Sequence, residues 1–311
     1  MILLKTTRLP LCLGLCSILL WFLWDAATVR RAVSEALVLC AATVIPAMFP
    51  FLVVSGLLIS LGFGNLLSPA LAGVMARLFH LPGTAGSALL LGLVGGYPIG
   101  AKTAADLYRA ELLTRKETQR LLTFCNNANP AFFLSVLGAG VFHSSRIGLY
   151  LWLIHLSSAL LTGMLLSQSR HNAPQSAVPR HISDKESPLS LLWVTAVTSA
   201  GNGILSICAF VVIFYVLTQP LAALPGLWGT AAAGLLELFS LTPRLSADET
   251  GFILAATLSG WGGLSVLCQT ASMLTGTELS VSSCIKGKVM QGLLSSVLAC
   301  LLLLTGWVRV P

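Results

Sequence analysis

Charge is what this chain has least of. Asp, Glu, Lys and Arg make up 9% of its 311 residues while 56% are hydrophobic, whereas roughly a quarter of a soluble globular protein is charged. That scarcity excludes an ordinary water-soluble domain and points to a protein built for a bilayer. The basic residues, in excess by a formal net charge of +7, are scattered between apolar runs and form no patch interleaved with aromatics. A positive-inside bias accounts for them better than nucleic-acid binding does. Chemical motifs are equally sparse. The eight cysteines include no C-x-x-C pair and the five histidines no H-E-x-x-H, and G-x-S-x-G, a P-loop and an intramembrane aspartate pair are all missing. These gaps argue against zinc chemistry, serine hydrolysis and ATP-driven pumping. The expectation is a protein that is not an enzyme and holds no cofactor or metal, with cysteines such as Cys40, Cys208 and Cys268 serving as small packing residues.

What the chain does have is a succession of uncharged runs: Leu9–Trp24, Ala36–Ala76, Leu78–Ala101, Ile147–Ser169, Ser187–Leu236, Thr250–Thr277 and Val289–Val308. Because a crossing helix needs about 20 apolar residues, several runs hold two passes, and roughly eight to ten embedded segments are expected, re-entrant ones included. Lys5 and Arg8 ahead of Leu9–Trp24, with Asp25-Ala26-Ala27 after it, allow a secretory signal. The run stays rich in Leu and Trp to its end, which favours an uncleaved first helix. Trp21, Trp24, Trp152, Trp193, Trp228 and Trp307 fall near run ends, as an interfacial belt requires. One segment differs: Gln168–Pro188, QSRHNAPQSAVPRHISDKESP, carries both signs of charge and three prolines and reads as a solvated linker. The chain then divides into an N-terminal helix and loop (1–35), a first membrane half (36–167), the linker (168–189) and a second half (190–311).

Shifting the second half by 167 positions sets GGYPIGAKTAADLYRAEL (Gly95–Leu112) over GGLSVLCQTASMLTGTEL (Gly262–Leu279), with identities at Gly95/Gly262, Gly96/Gly263, Thr103/Thr270, Ala104/Ala271, Leu107/Leu274, Glu111/Glu278 and Leu112/Leu279. Interrupted hydrophobic segments at matching positions of two halves point to a transporter's binding site. The fold class expected is therefore all-α, a polytopic membrane helix bundle of two related halves containing glycine- and proline-broken helices. Parallel and inverted arrangements both remain open, since the loop arginines distribute comparably in several topologies.

The breaks carry the candidate site. Gly96, Pro98 and Gly100 open the first helix and Gly262 and Gly263 the second, freeing backbone groups that need polar partners. Lys102 and Asp106 are spaced i, i+4, so on a resumed helix they share a face with Thr103 near by. They read either as an embedded functional pair or as an ordinary helix end whose lysine snorkels. In the second unit Ser265, Gln269 and Thr270 offer hydrogen bonds without charge, for a ligand or as glue between helices. Thr114 and Glu117 have capping-box spacing at the start of a surface helix bearing Arg115, Lys116 and Arg120. That helix leads to Asn126, Asn127, Asn129 and Pro130, a set of amides that lines a cavity or simply marks a turn. Glu237 is a further near-membrane acid, free to pair with a base or to face an interface.

Together GGYPIGAKTAADLY, LLTFCNNANPAFF and LSGWGGLSVLCQTASML resemble the YlbJ-type sporulation integral membrane proteins, whose core belongs to the nucleoside-recognition, or Gate, group. The resemblance runs from about Ala36 to Arg309. It implies a multi-pass protein of the cell or forespore membrane of a spore-forming bacterium, acting late in spore formation and moving a small anionic or polar metabolite, with dipicolinate the candidate. On that reading Lys102 attracts the anion, Asn126, Asn127 and Gln269 supply neutral hydrogen bonds, and Asp106 holds Lys102 or carries a proton. The partners implied are the lipid bilayer and the metabolite, without nucleic acid. A nucleoside-type transporter, a non-transporting assembly component of the sporulation machinery, and a homo-oligomer or membrane partner stay open as alternatives.

Overall fold

The apolar runs form helices wherever Gly and Pro let them continue, and fold back where they do not. The computed structural model describes residues 2–168, 188–224 and 226–310, and among these there are helices and turns but no strand. The expected linker falls almost wholly on 169–187, outside the described residues. Helix α1 (Ile2–Trp24) meets α2 (Ala26–Leu39) at Asp25, whose carboxylate accepts the Thr28 N–H at 3.3 Å, so the second helix has its own cap and a new direction. The axis turns by 94° there. A wide π turn, Cys40–Val44, leads on into α3 (Ile45–Ser60). The pair α4 (Phe63–Phe79) and α5 (Ala85–Gly95) is bent by the same 94°. Then come α6 (Ile99–Arg109), α7 (Arg115–Leu121), a π-helical segment Phe132–Val141 and α8 (Ser145–Gln168). After the linker follow α9 (Leu189–Leu217), α10 (Gly226–Leu236), α11 (Glu249–Trp261), α12 (Leu264–Met273) and α13 (Ser282–Leu304).

Among the described residues, four helical stretches are long and apolar enough to cross a bilayer: α8, α9, α13 and the α11–α12 pair taken together. They become six if each bent pair is one span. The chain is thus an all-α, multi-pass membrane protein with fewer full crossings than the number of apolar segments suggests. Phe132–Val141 and Gly226–Leu236 explain the shortfall. With 10 and 11 residues, each is about half of what a helix needs to cross a hydrocarbon core.

Helix α13 shows what faces lipid and what faces protein. Val289, Leu293, Val297, Leu301 and Leu304 are exposed, while Lys288, Gln291, Ser295 and Ala299 are buried. The helix therefore turns its apolar stripe outward and its polar stripe inward, the reverse of a water-soluble helix. Its inner stripe packs on α11 and α8. The approach to α11 is tight: a Cβ on Gly260 would stand 2.9 Å from Gly292 Cα. Small residues at such a crossing let two backbones meet. Elsewhere α3 and α2 pack on α9, and α5 packs on α6, bringing the two glycine breaks to the middle of the bundle.

Candidate functional site

At the first break α5 ends and Gly96 takes φ 87°, a left-handed value that favours glycine. The Tyr97–Pro98 peptide is cis, and α6 starts directly after Pro98. At the second, Gly262 and Gly263 have φ 85° and 92° between α11 and α12. The two breaks touch. The Tyr97 hydroxyl donates to the Ser259 carbonyl at 3.0 Å, and a Cβ on Gly262 would lie 3.1 Å from that hydroxyl. One broken helix thereby satisfies a carbonyl in the last turn of the other, an acceptor that a helix end leaves without an intrahelical partner. Trp261 ties the second break down from outside, its indole N–H donating to the Leu235 carbonyl at 2.9 Å.

Beside the breaks lies a cavity of about 290 Å³ walled by Tyr97, Asn129, Phe132, Glu237, Phe239 and Gln269 among others. Phe132 and Phe239 meet edge to face, with centroids 5.6 Å apart. The polar wall groups are held in place. Gln269 Nε2 donates to Ser265 Oγ at 3.2 Å, Asn129 Oδ1 accepts the Phe132 N–H at 2.8 Å, and Glu237 Oε2 accepts the Ser240 N–H at 2.6 Å.

Behind Tyr97 is a buried polar network that sequence reasoning missed. Lys288 is 1% exposed. Its Nζ donates to Gln291 Oε1 at 2.8 Å and to the Tyr97 hydroxyl at 3.3 Å, and it stands 4.7 Å from the centre of the Tyr97 ring. The ion pairs among the described residues do not include it, so amide and hydroxyl dipoles and a π face stand where a carboxylate would. Gln291 Nε2 donates onward to Asn127 Oδ1 at 3.0 Å, and Asn127 Nδ2 to the Phe124 carbonyl at 2.8 Å. His155 Nε2 accepts the Ala128 N–H at 3.1 Å, which puts the ring proton on Nδ1. Ser295 donates to Ser158 at 2.8 Å. The signal in the sequence was Lys288 and Gln291 at i, i+3, but Lys288 directly precedes the uncharged run Val289–Val308 and reads as a flanking charge.

Of the residues expected at the site, Asn129 and Gln269 reach the cavity wall. Ser265 stands one turn before Gln269 and orients its amide. Asn126 Nδ2 donates to Thr270 Oγ1 at 2.8 Å, joining the asparagine loop to α12. Asn127 belongs to the Lys288 network, and Pro130 follows Asn129 at the entry to the π-helical segment. Gly100 is a contact glycine, since a Cβ there would run into the Cys125 carbonyl. Thr103 is buried with its hydroxyl unpartnered.

Lys102 makes the expected pair with Asp106 and does not line the cavity. Its Nζ is 2.9 Å from Asp106 Oδ2, and Asp106 Oδ1 takes a second bond at 2.8 Å from Arg109, whose other nitrogen donates to the Met273 and Thr275 carbonyls at 3.0 and 3.1 Å. The trio is a latch. It ties the end of α6 to the negative end of α12, and Asp106 matches the Lys102 charge there. Lys288, by contrast, donates to Tyr97, a residue of the cavity wall.

Comparison with known proteins agrees with the motif reading. Residues 41–151 match the Gate family, described as nucleoside recognition. The chain is also 26% identical, over 85% of its length and 76% of the relative's, to the sporulation integral membrane protein YlbJ of Bacillus subtilis strain 168. No solved structure matches it.

Proposed function

Taking kinship with the YlbJ-type membrane proteins as premise, we propose that this chain serves sporulation as a permease, passing a small anion with a planar ring through the cavity at its two helix breaks. Dipicolinate, a pyridine carrying two carboxylates, is the candidate. Lys288 carries this reading: a fully buried cation without a carboxylate partner costs several kcal/mol to keep in an apolar interior, and an anion on the other side of Tyr97 would offset that cost. The half-helices add to the same field. Both α6 and α12 begin at the breaks, and a helix N-terminus presents partial positive charge. Phe132, Phe239 and the Tyr97 ring provide flat apolar faces for a ring, while Asn129 and Gln269 offer amides for polar edges. The chain carries no ATP-binding P-loop, so the drive comes from an ion gradient, the substrate's own gradient or a partner.

A nucleoside is the second reading, favoured by the Gate match over 41–151 and by the same aromatic and amide wall. Uptake of labelled dipicolinate and of labelled uridine into proteoliposomes containing the purified protein separates the two. Accumulation of dipicolinate above protein-free vesicles, with uridine at background, is the expected result. Uridine uptake alone would replace the anion by a nucleoside, and flux of neither from folded, inserted protein would favour the assembly-component role.

A further inference from the structure

Glu237 is the acid that the mechanism above leaves unexplained. It sits between α10 and the tight turn Phe239–Arg244, is 2% exposed, and lines the cavity together with Tyr97 and Gln269. Among the described residues no base lies within ion-pair distance of it. The titratable groups that feel its charge are Cys40, at the end of α2, and Tyr215 of α9. Tyr215 in turn donates to Glu35 at 3.2 Å and is acted on by Arg244. From α12 and the asparagine loop it is faced across the cavity by Gln269 and Asn129, which are uncharged, and the nearest cation beyond that wall is Lys288 of α13, behind Tyr97.

A carboxylate in that position works against an anion in the same cavity, because like charges between apolar walls are weakly screened. As a neutral acid it has no such effect and offers an O–H donor instead. Anion binding and protonation of Glu237 therefore favour each other, and by linkage each raises the affinity for the other. The turn also makes the charged form tenable when the cavity is empty: the Ser240 N–H at 2.6 Å gives the carboxylate one strong hydrogen bond. A group that is tenable in both states, and tilted toward one by the ligand, is what coupling requires.

Resting on the anion-permease reading, we infer that Glu237 is the proton-loading site of this protein, so that each anion crosses with a proton taken from cavity water onto the Glu237 carboxylate and released on the side of lower proton activity. Asp106, matched by Lys102 and Arg109, has no part in it.

The test compares wild-type protein with Glu237→Gln in proteoliposomes, using labelled dipicolinate. Glutamine keeps an oxygen for the Ser240 N–H but takes up no proton, so a merely structural role would leave the variant unchanged. With the membrane potential clamped at zero, because a dianion crossing with one proton carries net charge, wild-type accumulation is expected to rise by about tenfold per unit of inward pH gradient. Glu237→Gln should exchange dipicolinate across the membrane at equilibrium yet accumulate none in response to the gradient. A variant that still follows the gradient overturns the inference, as does wild-type uptake that ignores pH while transport itself persists. Should the wild type neither take up nor exchange dipicolinate, the permease reading fails, and infrared spectroscopy of the ligand-free protein still decides the fate of Glu237. A carboxylic C=O band that titrates and is lost in Glu237→Gln supports a proton site open to the cavity, and no such band overturns it.

Discussion

Lys288 and Lys102 begin alike, as lysines at the edge of apolar runs, and diverge through their neighbours. Lys102 has an acid one turn away and an ion pair at 2.9 Å, whereas Lys288 meets a glutamine and a tyrosine. Replacing Lys288 by Gln removes a buried unpaired charge while keeping a donor for Gln291. Thermal unfolding in detergent should therefore find the variant at least as stable as wild type. A collapse in stability would show the charge to be a fold requirement. Asp248 gives a prediction outside the membrane. The Gly251 N–H and the Ser246 hydroxyl hold its carboxyl below the usual aspartate range, where it caps α11. Its contribution is then complete above the ordinary aspartate pKa and fades as pH falls through the depressed value. Asp248→Ala should cost about 1 kcal/mol at neutral pH, with the difference vanishing in acid, as pH-resolved unfolding would show. The asparagines and Gln269 were legible in the sequence as polar groups within apolar surroundings. Lys288 was not, because its meaning depends on Tyr97, 191 positions away.

At the scale of elements, glycine decides where helices break and where they touch. Gly100→Ala would drive a Cβ into the Cys125 carbonyl, an overpacking expected to cost about 1–3 kcal/mol. Gly201, inside α9, has nothing within 4 Å of its Cβ position, so Gly201→Ala should stabilise by up to about 1 kcal/mol through helix propensity. Melting temperatures that fall for the first and rise for the second would bear out this division, and equal shifts would contradict it. The breaks themselves were readable from paired glycines, as was the capping box, in which Glu117 Oε2 accepts the Thr114 N–H at 2.8 Å. The π-helical segment was not, since nothing in FFLSVLGAGV distinguishes its wide hydrogen bonding from an α-helix by composition. The eight to ten embedded segments expected exceed the four to six full-length spans among the described residues because hydropathy registers apolar length, and bends are set by a few positions within it.

Across the whole molecule, the long apolar helices enclose a polar interior that opens on one cavity at the junction of two broken helices. That arrangement could be anticipated in outline, with breaks, amides and an acid all visible in the sequence, but the choice of cation depended on which lysine the packing left unpaired. The central claim is that the field of Lys288, and not that of Lys102, draws an anion into the cavity. Its most direct test is initial-rate uptake of labelled dipicolinate by proteoliposomes containing wild type, Lys288→Gln or Lys102→Gln, each shown to be folded and equally inserted. Lys288→Gln is expected to lose uptake by at least about tenfold, equivalent to about 1.4 kcal/mol, while Lys102→Gln stays within about threefold of wild type. Loss of uptake in Lys102→Gln with Lys288→Gln unaffected would contradict the claim.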